Sequence, residues 1–184
     1  MKQLCISFLS IFLMTIILGD DDSILLKKWT FNNKDEYKKT FFCYPIDDDC
    51  KISSEYDLEE SYPLGTGVFK VKIIKTNLQS LTNIQFLMVY DKGLLEGKFY
   101  RVTLAVKTDN PCELGVNIQK ANTPWTVFAE KNITTKKGEW EHFSYDFKAA
   151  TSFDGKIFGP GIFLGKVPAG TTLEFAMVKL EQIK

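Results

Sequence analysis

Planar polar side chains occur at alternating positions in several segments of the sequence, and a tryptophan follows the last of them. The candidates that we expect at strand surfaces or strand ends are Gln85, Arg101, Asn117, Gln119 and Trp125. Amide and guanidinium groups form hydrogen bonds with hydroxyl groups, and an indole ring stacks against an apolar ring face. This set has the chemistry to bind a polyhydroxylated ligand without making or breaking a covalent bond.

These side chains can meet only if strands bring them onto one face. From residue 66 onwards, apolar and polar residues alternate with a period of two, and turn residues separate the runs. The runs span residues 67–75, 83–90, 99–107, 113–120, 125–130, 139–147, 161–165 and 172–181. Strands at this spacing predict an all-β fold, either a β-sandwich or a β-barrel.

An acidic segment suggests a different chemistry. Residues 23–62 predict one strand near 29–31 and then loop, and within them Glu55, Asp57 and Glu59 alternate. On a strand, the three carboxyl groups would share a face, and retaining glycosidases need two carboxyl groups roughly 5–5.5 Å apart. The string resembles the Glu-x-Asp-x-Glu signature of secreted laminarinase-type glucanases. A β-sandwich glycoside hydrolase is therefore an alternative, although the charged context is more typical of a loop.

Three stretches within residues 83–180 carry a family resemblance. The segment 94–102 is similar to the Leu-x-x-Gly-Lys-x-Tyr-x-Val entry into a central strand, 134–147 to a Thr-x-x-Trp-x-x-Tyr run, and 163–175 to the closing strands. In this order they resemble carbohydrate-binding modules of the family 4/9 type, galactose-binding-like jelly rolls, and the resemblance implies a jelly-roll β-sandwich of two antiparallel sheets. The resemblance implies a non-catalytic domain that binds an oligo- or polysaccharide in a concave sheet, and it implies that Trp140 packs in the core.

The resemblance also bears on calcium. Family members usually hold a structural calcium ion with ligands from the first and last strands. Here the corresponding stretches are 29–33 and 175–178, in which the usual ligands are missing, so we predict no cofactor. The run Asp47-Asp48-Asp49 offers the hard oxygen ligands that calcium prefers, but a charged, solvated loop is the favoured interpretation.

The N-terminus predicts export. Lys2 precedes an apolar run from Leu4 to Leu18, and Gly19 leads into three aspartates. This pattern is typical of a secretory signal peptide, and the run is shorter than the roughly 20 residues of a membrane span. We therefore expect a signal peptide at 1–19, a single domain at 20–184, secretion, and no stable membrane insertion after cleavage.

Export changes what the cysteines predict. Cys43, Cys50 and Cys112 follow the signal segment, and an oxidising compartment favours one disulfide bond and one remaining thiol. Cys43 and Cys50 flank a turn-like stretch and are one candidate pair, although spacing does not determine connectivity.

Composition narrows the function further. The 184 residues carry 23 basic and 23 acidic side chains, so the chain lacks the basic field on which nucleic-acid binding depends. The family resemblance and the predicted signal peptide together imply a secreted binding module that is not an enzyme and whose partner is a glycan. A surface or adhesion protein with the same fold is a further alternative.

Overall fold

The computed structural model describes residues 23–62 and 66–184, which form two packed antiparallel sheets. The strands are β1 (Ile24–Trp29), β2 (Phe41–Pro45), β3 (Lys51–Tyr62), β4 (Thr66–Lys75), β5 (Ile84–Tyr90), β6 (Phe99–Thr108), β7 (Glu113–Lys120), β8 (Val127–Thr134), β9 (Glu141–Lys148), β10 (Ile157–Phe163) and β11 (Thr172–Ile183). Short 3-10 turns lie at Lys34–Glu36 and Leu81–Asn83. The predicted all-β sandwich of two antiparallel sheets is confirmed.

Strands that are adjacent in the sequence often lie in different sheets. The six-stranded sheet has the order β3-β4-β11-β6-β9, with β1 also paired to β11. The five-stranded sheet has the order β2-β5-β10-β7-β8. From β5 to β11 the chain crosses repeatedly between the sheets, so a strand's position in the sequence does not indicate which sheet it joins.

The core lies between the sheets and is built by the predicted alternation. Phe69, Val71 and Ile73 of β4 are fully buried, and so are Ile84 and Phe86 of β5. Aromatic rings fill the centre of this layer: the Phe69 and Phe86 rings lie 5.0 Å apart. Burial of this apolar surface is the main favourable contribution to folding.

The expectation of loop between residues 32 and 62 is wrong, since β2 and β3 lie there. In β2, Phe41 and Cys43 point into the core while Phe42 and Tyr44 point outward. β3 is an edge strand of its sheet, and few of its apolar side chains face inward. Tyr56 is one of those that do. In the sequence, β2 is only five residues long and is followed by three aspartates, and β3 is rich in charged residues, so both segments have a pattern typical of a loop.

The three cysteines of the described residues are free and buried. The expected disulfide bond, including the Cys43–Cys50 pair, is therefore absent from this structure. Burial raises the pKa of the Cys43 thiol, which disfavours its reactive thiolate.

The predicted signal peptide at 1–19 lies outside the described residues. Within the described ranges, no helix has the length and apolar character that crossing a membrane requires.

Candidate ligand-binding groove

A groove of about 440 Å³ crosses the outer face of the five-stranded sheet. Its volume lies within the range of about 300–1,000 Å³ that is usual for ligand sites. Four of the five predicted site residues line it: Gln85, Asn117, Gln119 and Trp125. Gln85 lies on β5, the two β7 side chains share one face by alternation, and Trp125 lies in the loop that precedes β8.

Gly161 lies beside the Asn117 side chain. It is on β10 between Leu87 of β5 and Asn117 of β7, directly opposite both residues. A Cβ atom at this position would lie 2.6 Å from Asn117 Oδ1 and 2.8 Å from Leu87 Cδ2. Glycine therefore leaves the room that the Asn117 side chain occupies.

Asn117 presents a hydrogen-bond acceptor that nothing in the described part of the chain uses. Its Nδ2 donates to Gln119 Oε1 at 2.8 Å, which fixes the orientation of both amides. Its Oδ1 is buried and has no hydrogen-bond partner, and the residue is only 2% exposed. Leaving a buried polar atom unpaired costs about 1–3 kcal/mol. A ligand hydroxyl or amine that donates to this oxygen would remove that cost.

Aromatic rings line the groove and the surface beside it. Trp125 is 57% exposed, and its ring stacks over that of Phe158 with a centroid distance of 6.2 Å and an interplanar angle of 18°. Phe158 in turn meets Phe42 edge-on at 5.7 Å, and Phe42 stacks with Tyr44 at 5.7 Å. Flat apolar surfaces of this kind accept the hydrophobic face of a sugar ring.

Tyr44 adds a hydroxyl group to the lining of the groove. Burial raises the pKa of Tyr44, so its hydroxyl stays protonated at neutral pH and can donate a hydrogen bond. The sequence interpretation did not select Tyr44 or Phe158. Two features of the sequence could have indicated them: Tyr44 alternates with Cys43 in a short aromatic run, and Phe158 is the aromatic residue directly before Gly159-Pro160.

The expectation that Arg101 joins this groove is wrong. Arg101 lies on β6 in the other sheet, where it pairs with β9. Its Nε donates to Asp146 Oδ1 at 2.7 Å, and its Nη2 donates to Oδ2 at 2.9 Å. This bidentate bond lowers the pKa of Asp146. Alternation gave the correct outward direction of Arg101, but it could not indicate which sheet the strand belongs to.

The acidic segment lies on a strand, contrary to the loop expected for it. Glu55 and Asp57 lie on β3, at an edge of the six-stranded sheet. Glu55 is exposed, whereas Asp57 forms an ion pair with Lys70 at 3.0 Å. The side chain of Glu59 lies outside the described part. This segment therefore belongs to a different sheet from the groove.

The aspartates of the loop between β2 and β3 take part in local contacts. Asp47 accepts hydrogen bonds from the Asp49 backbone N–H at 2.8 Å and from Asn77 Nδ2 at 2.8 Å. Asp49 pairs with Lys75 at 2.8 Å, and this hydrogen bond lowers the pKa of Asp49. Within residues 23–62 and 66–184, no group of three or more His, Cys, Asp or Glu side chains is arranged to hold a metal ion.

Comparisons with known proteins agree with this architecture. No protein-family model and no curated protein matches the chain. A solved structure titled "CBM4 structure and function" shares the fold with a TM-score of 0.63 at 20% identity, over 85% of this chain and 94% of that one. The CBM22-1 xylan-binding domain of Paenibacillus barcinonensis Xyn10C gives a TM-score of 0.58 at 8% identity, over 88% and 96%.

A third similar structure is that of an enzyme, of which this chain matches one part. The arabinose-bound MgGH51 α-L-arabinofuranosidase gives a TM-score of 0.55 at 15% identity, over 76% of this chain but 23% of the enzyme. At these identities the likeness establishes the fold. The chain therefore has the β-sandwich fold of carbohydrate-binding modules, a fold that also occurs as part of glycoside hydrolases.

Proposed function

We propose that this protein is a secreted, non-catalytic domain that binds a glycan in the groove of the five-stranded sheet. The observation that carries the proposal is the meeting of an exposed indole and an unpaired amide oxygen in one groove. Trp125 supplies the stacking surface, and Asn117 Oδ1 supplies the acceptor. The fold shared with carbohydrate-binding modules supports the same function.

The stacking surface of the groove is already in place, because the Phe158 ring supports Trp125. Binding through Asn117 needs a local rearrangement of its amide, since Oδ1 is buried beside Gly161 and Nδ2 is held by Gln119. Gln85 and Gln119 offer further amide groups to sugar hydroxyls. Because the site is open and its donors are few, we expect dissociation constants in roughly the micromolar to millimolar range.

A hydrolytic function has weaker support. Glycoside hydrolysis uses two carboxyl groups that flank the scissile bond. Among the described residues that line the groove, Glu130 is the one with a carboxylate. The acidic segment of β3 lies in the six-stranded sheet, and its Asp57 is engaged by Lys70.

Binding to a panel of soluble oligosaccharides, measured by calorimetry, tests the proposal. We expect Trp125→Ala to weaken binding about tenfold or more, because the stacking surface is lost. Phe99→Ala is the matched control, since Phe99 is an exposed aromatic residue (44%) on β6 of the other sheet. Equal binding by wild type and Trp125→Ala would contradict the proposal.

Two further outcomes would favour the alternatives. Release of reducing sugar that is lost in Glu55→Gln would indicate a glycoside hydrolase. No binding to any glycan, together with capture of a protein ligand that depends on Trp125, would indicate an adhesion protein. Secretion is tested separately: a mature protein that begins near residue 20 is expected when the full chain is expressed with a secretory pathway.

A further inference from the structure

The outer face of the five-stranded sheet carries carboxylates but no cations among the residues that the structure describes. Glu113 of β7 and Glu130 of β8 point outward on this face, and no lysine, arginine or histidine lines the groove. The nearby cations are directed elsewhere: Lys131 lies over the Tyr145 ring and Lys120 over the Phe153 ring. The described lining of the groove therefore carries one negative charge and no positive charge.

The two carboxylates of this face differ in their availability. Glu113 Oε1 accepts a hydrogen bond from Asn132 Nδ2 at 2.7 Å. Glu130 lines the groove, is exposed, and accepts no hydrogen bond in the described part of the chain. Glu130 is therefore the carboxylate that a ligand can use.

Glu130 lies beside the unpaired acceptor. In the antiparallel pairing of β7 and β8, Asn117 is directly opposite Glu130, so both side chains project from the same face. Asn117 Oδ1 is buried without a donor. Two neighbouring acceptors, one of them charged, are best matched by a ligand group that donates several hydrogens and carries positive charge. An ammonium group has three donors, whereas a hydroxyl group has one.

We infer that the groove prefers glycans that contain amino sugars in the ammonium form over neutral or anionic glycans. The inference rests on the proposed function and adds a ligand class to it. The ammonium group would donate to the exposed Glu130 carboxylate and, once the Asn117 amide turns to expose its oxygen, to Asn117 Oδ1, while Trp125 stacks on a sugar ring. Uronic acids would bring a carboxylate towards Glu130, and the resulting repulsion disfavours them.

Calorimetry with three probes tests the inference: glucosamine hexasaccharide, N-acetylglucosamine hexasaccharide and an oligogalacturonate. We expect the glucosamine probe to bind wild type about three- to tenfold more tightly than its acetylated counterpart, because a charged hydrogen bond at an exposed site contributes modestly. The oligogalacturonate is expected to bind most weakly. Glu130→Gln should remove the preference for the amine and leave binding of the acetylated probe within about twofold.

The matched control is Glu113→Gln, because it removes a carboxylate from the same face but not from the groove lining. We expect it to retain the preference for glucosamine, which excludes nonspecific attraction between a cationic glycan and the protein surface. Both variants alter exposed or half-exposed side chains, so folding is expected to be preserved.

The outcomes separate the inference from the proposed function. Equal binding of the two hexasaccharides, or a Glu130→Gln variant that weakens both alike, would overturn the preference while glycan binding through Trp125 stands. Tighter binding of the oligogalacturonate would overturn it as well. If none of the probes, and no glycan of the wider panel, binds in a manner that depends on Trp125, the proposed function fails and the inference fails with it.

Discussion

On the outer face of the six-stranded sheet, charged side chains pair across neighbouring strands, whereas the outer face of the five-stranded sheet holds amides and aromatic rings. The pairs of the first face are Lys70–Asp57, Arg101–Asp146 and Lys107–Glu174. On the second face, Trp125 stacks on Phe158 and Asn117 Oδ1 has no partner in the described residues.

The difference favours the five-stranded face as the proposed ligand-binding surface. Charges that satisfy one another across a strand pair describe an ordinary solvated surface, and each exposed pair contributes little to stability. A buried acceptor without a donor, beside an exposed indole, is costly in the free protein and becomes favourable only when a ligand supplies the donor. On both sheets, inward and outward side chains alternate along each strand. The two outer faces therefore differ in the types of side chain that they carry and not in how those side chains are arranged.

Crowding the Asn117 side chain should have the largest effect on the difference between the two faces. We expect Gly161→Val to reduce glycan binding below detection, because even a Cβ atom would lie 2.6 Å from Asn117 Oδ1. The same crowding should lower the free energy of unfolding by about 1–3 kcal/mol. Calorimetric titration and denaturant unfolding measure the two effects.

Thr103→Val is the control on the other sheet, since Thr103 lies on the outward side of β6. It is expected to leave glycan binding unchanged. A Gly161→Val variant that folds and binds like wild type would show that binding does not depend on the placement of Asn117.

Removing the unpaired acceptor should separate binding from stability. We expect Asn117→Leu to weaken glycan binding about tenfold, because the ligand loses the acceptor at Oδ1. The free energy of unfolding should change by less than about 1 kcal/mol, since the lost hydrogen bond to Gln119 is offset by removal of the unpaired polar atom. A loss of stability with no loss of affinity would instead assign Asn117 a purely structural role.

The ion pair on the six-stranded sheet gives the smallest expected effect. Arg101 lowers the pKa of Asp146, so this carboxylate contributes stability above its unfolded pKa of about 3.9 and loses that contribution as the pH falls through its lower folded value. Because the Asp146 side chain is 45% exposed, we expect Asp146→Asn to cost less than about 1 kcal/mol at neutral pH.

This difference between Asp146→Asn and wild type should shrink below about pH 4 and disappear in stronger acid, as urea unfolding at several pH values would measure. Asp146→Asn should bind the glycan with the same affinity as wild type under each condition in which both are folded. A clear loss of binding in this variant would mean that the six-stranded face takes part in recognition after all.

The sequence predicted which way side chains point from a strand better than it predicted which strands lie side by side. Period-two alternation correctly placed Asn117 and Gln119 outward on β7, and it did the same for Arg101 on β6. The chain's crossing between sheets then separated Arg101 from the amides. Which sheet a strand joins depends on long-range pairing, which a local pattern does not encode.

The edge strands were the other difficulty. Tyr56 is one of the few apolar side chains that β3 directs inward, and the charged residues around it are typical of a loop.

Trp140, which the family resemblance assigned to the core, is half-buried and covers Ala105 and Met177 outside the main core. The unpaired state of Asn117 Oδ1 depends on atoms from separate strands, so sequence patterns alone could not predict it.

The chain's three tryptophans lie in three different surroundings, so the protein's intrinsic fluorescence can report on ligand binding. Trp29 is fully enclosed, Trp140 is partly covered, and Trp125 stands mostly in water. Indole emission moves to shorter wavelength when water leaves the ring, so a ligand that covers Trp125 should produce a blue shift against a constant background from the other two. Recognition can therefore be followed by intrinsic fluorescence, without a dye or a label.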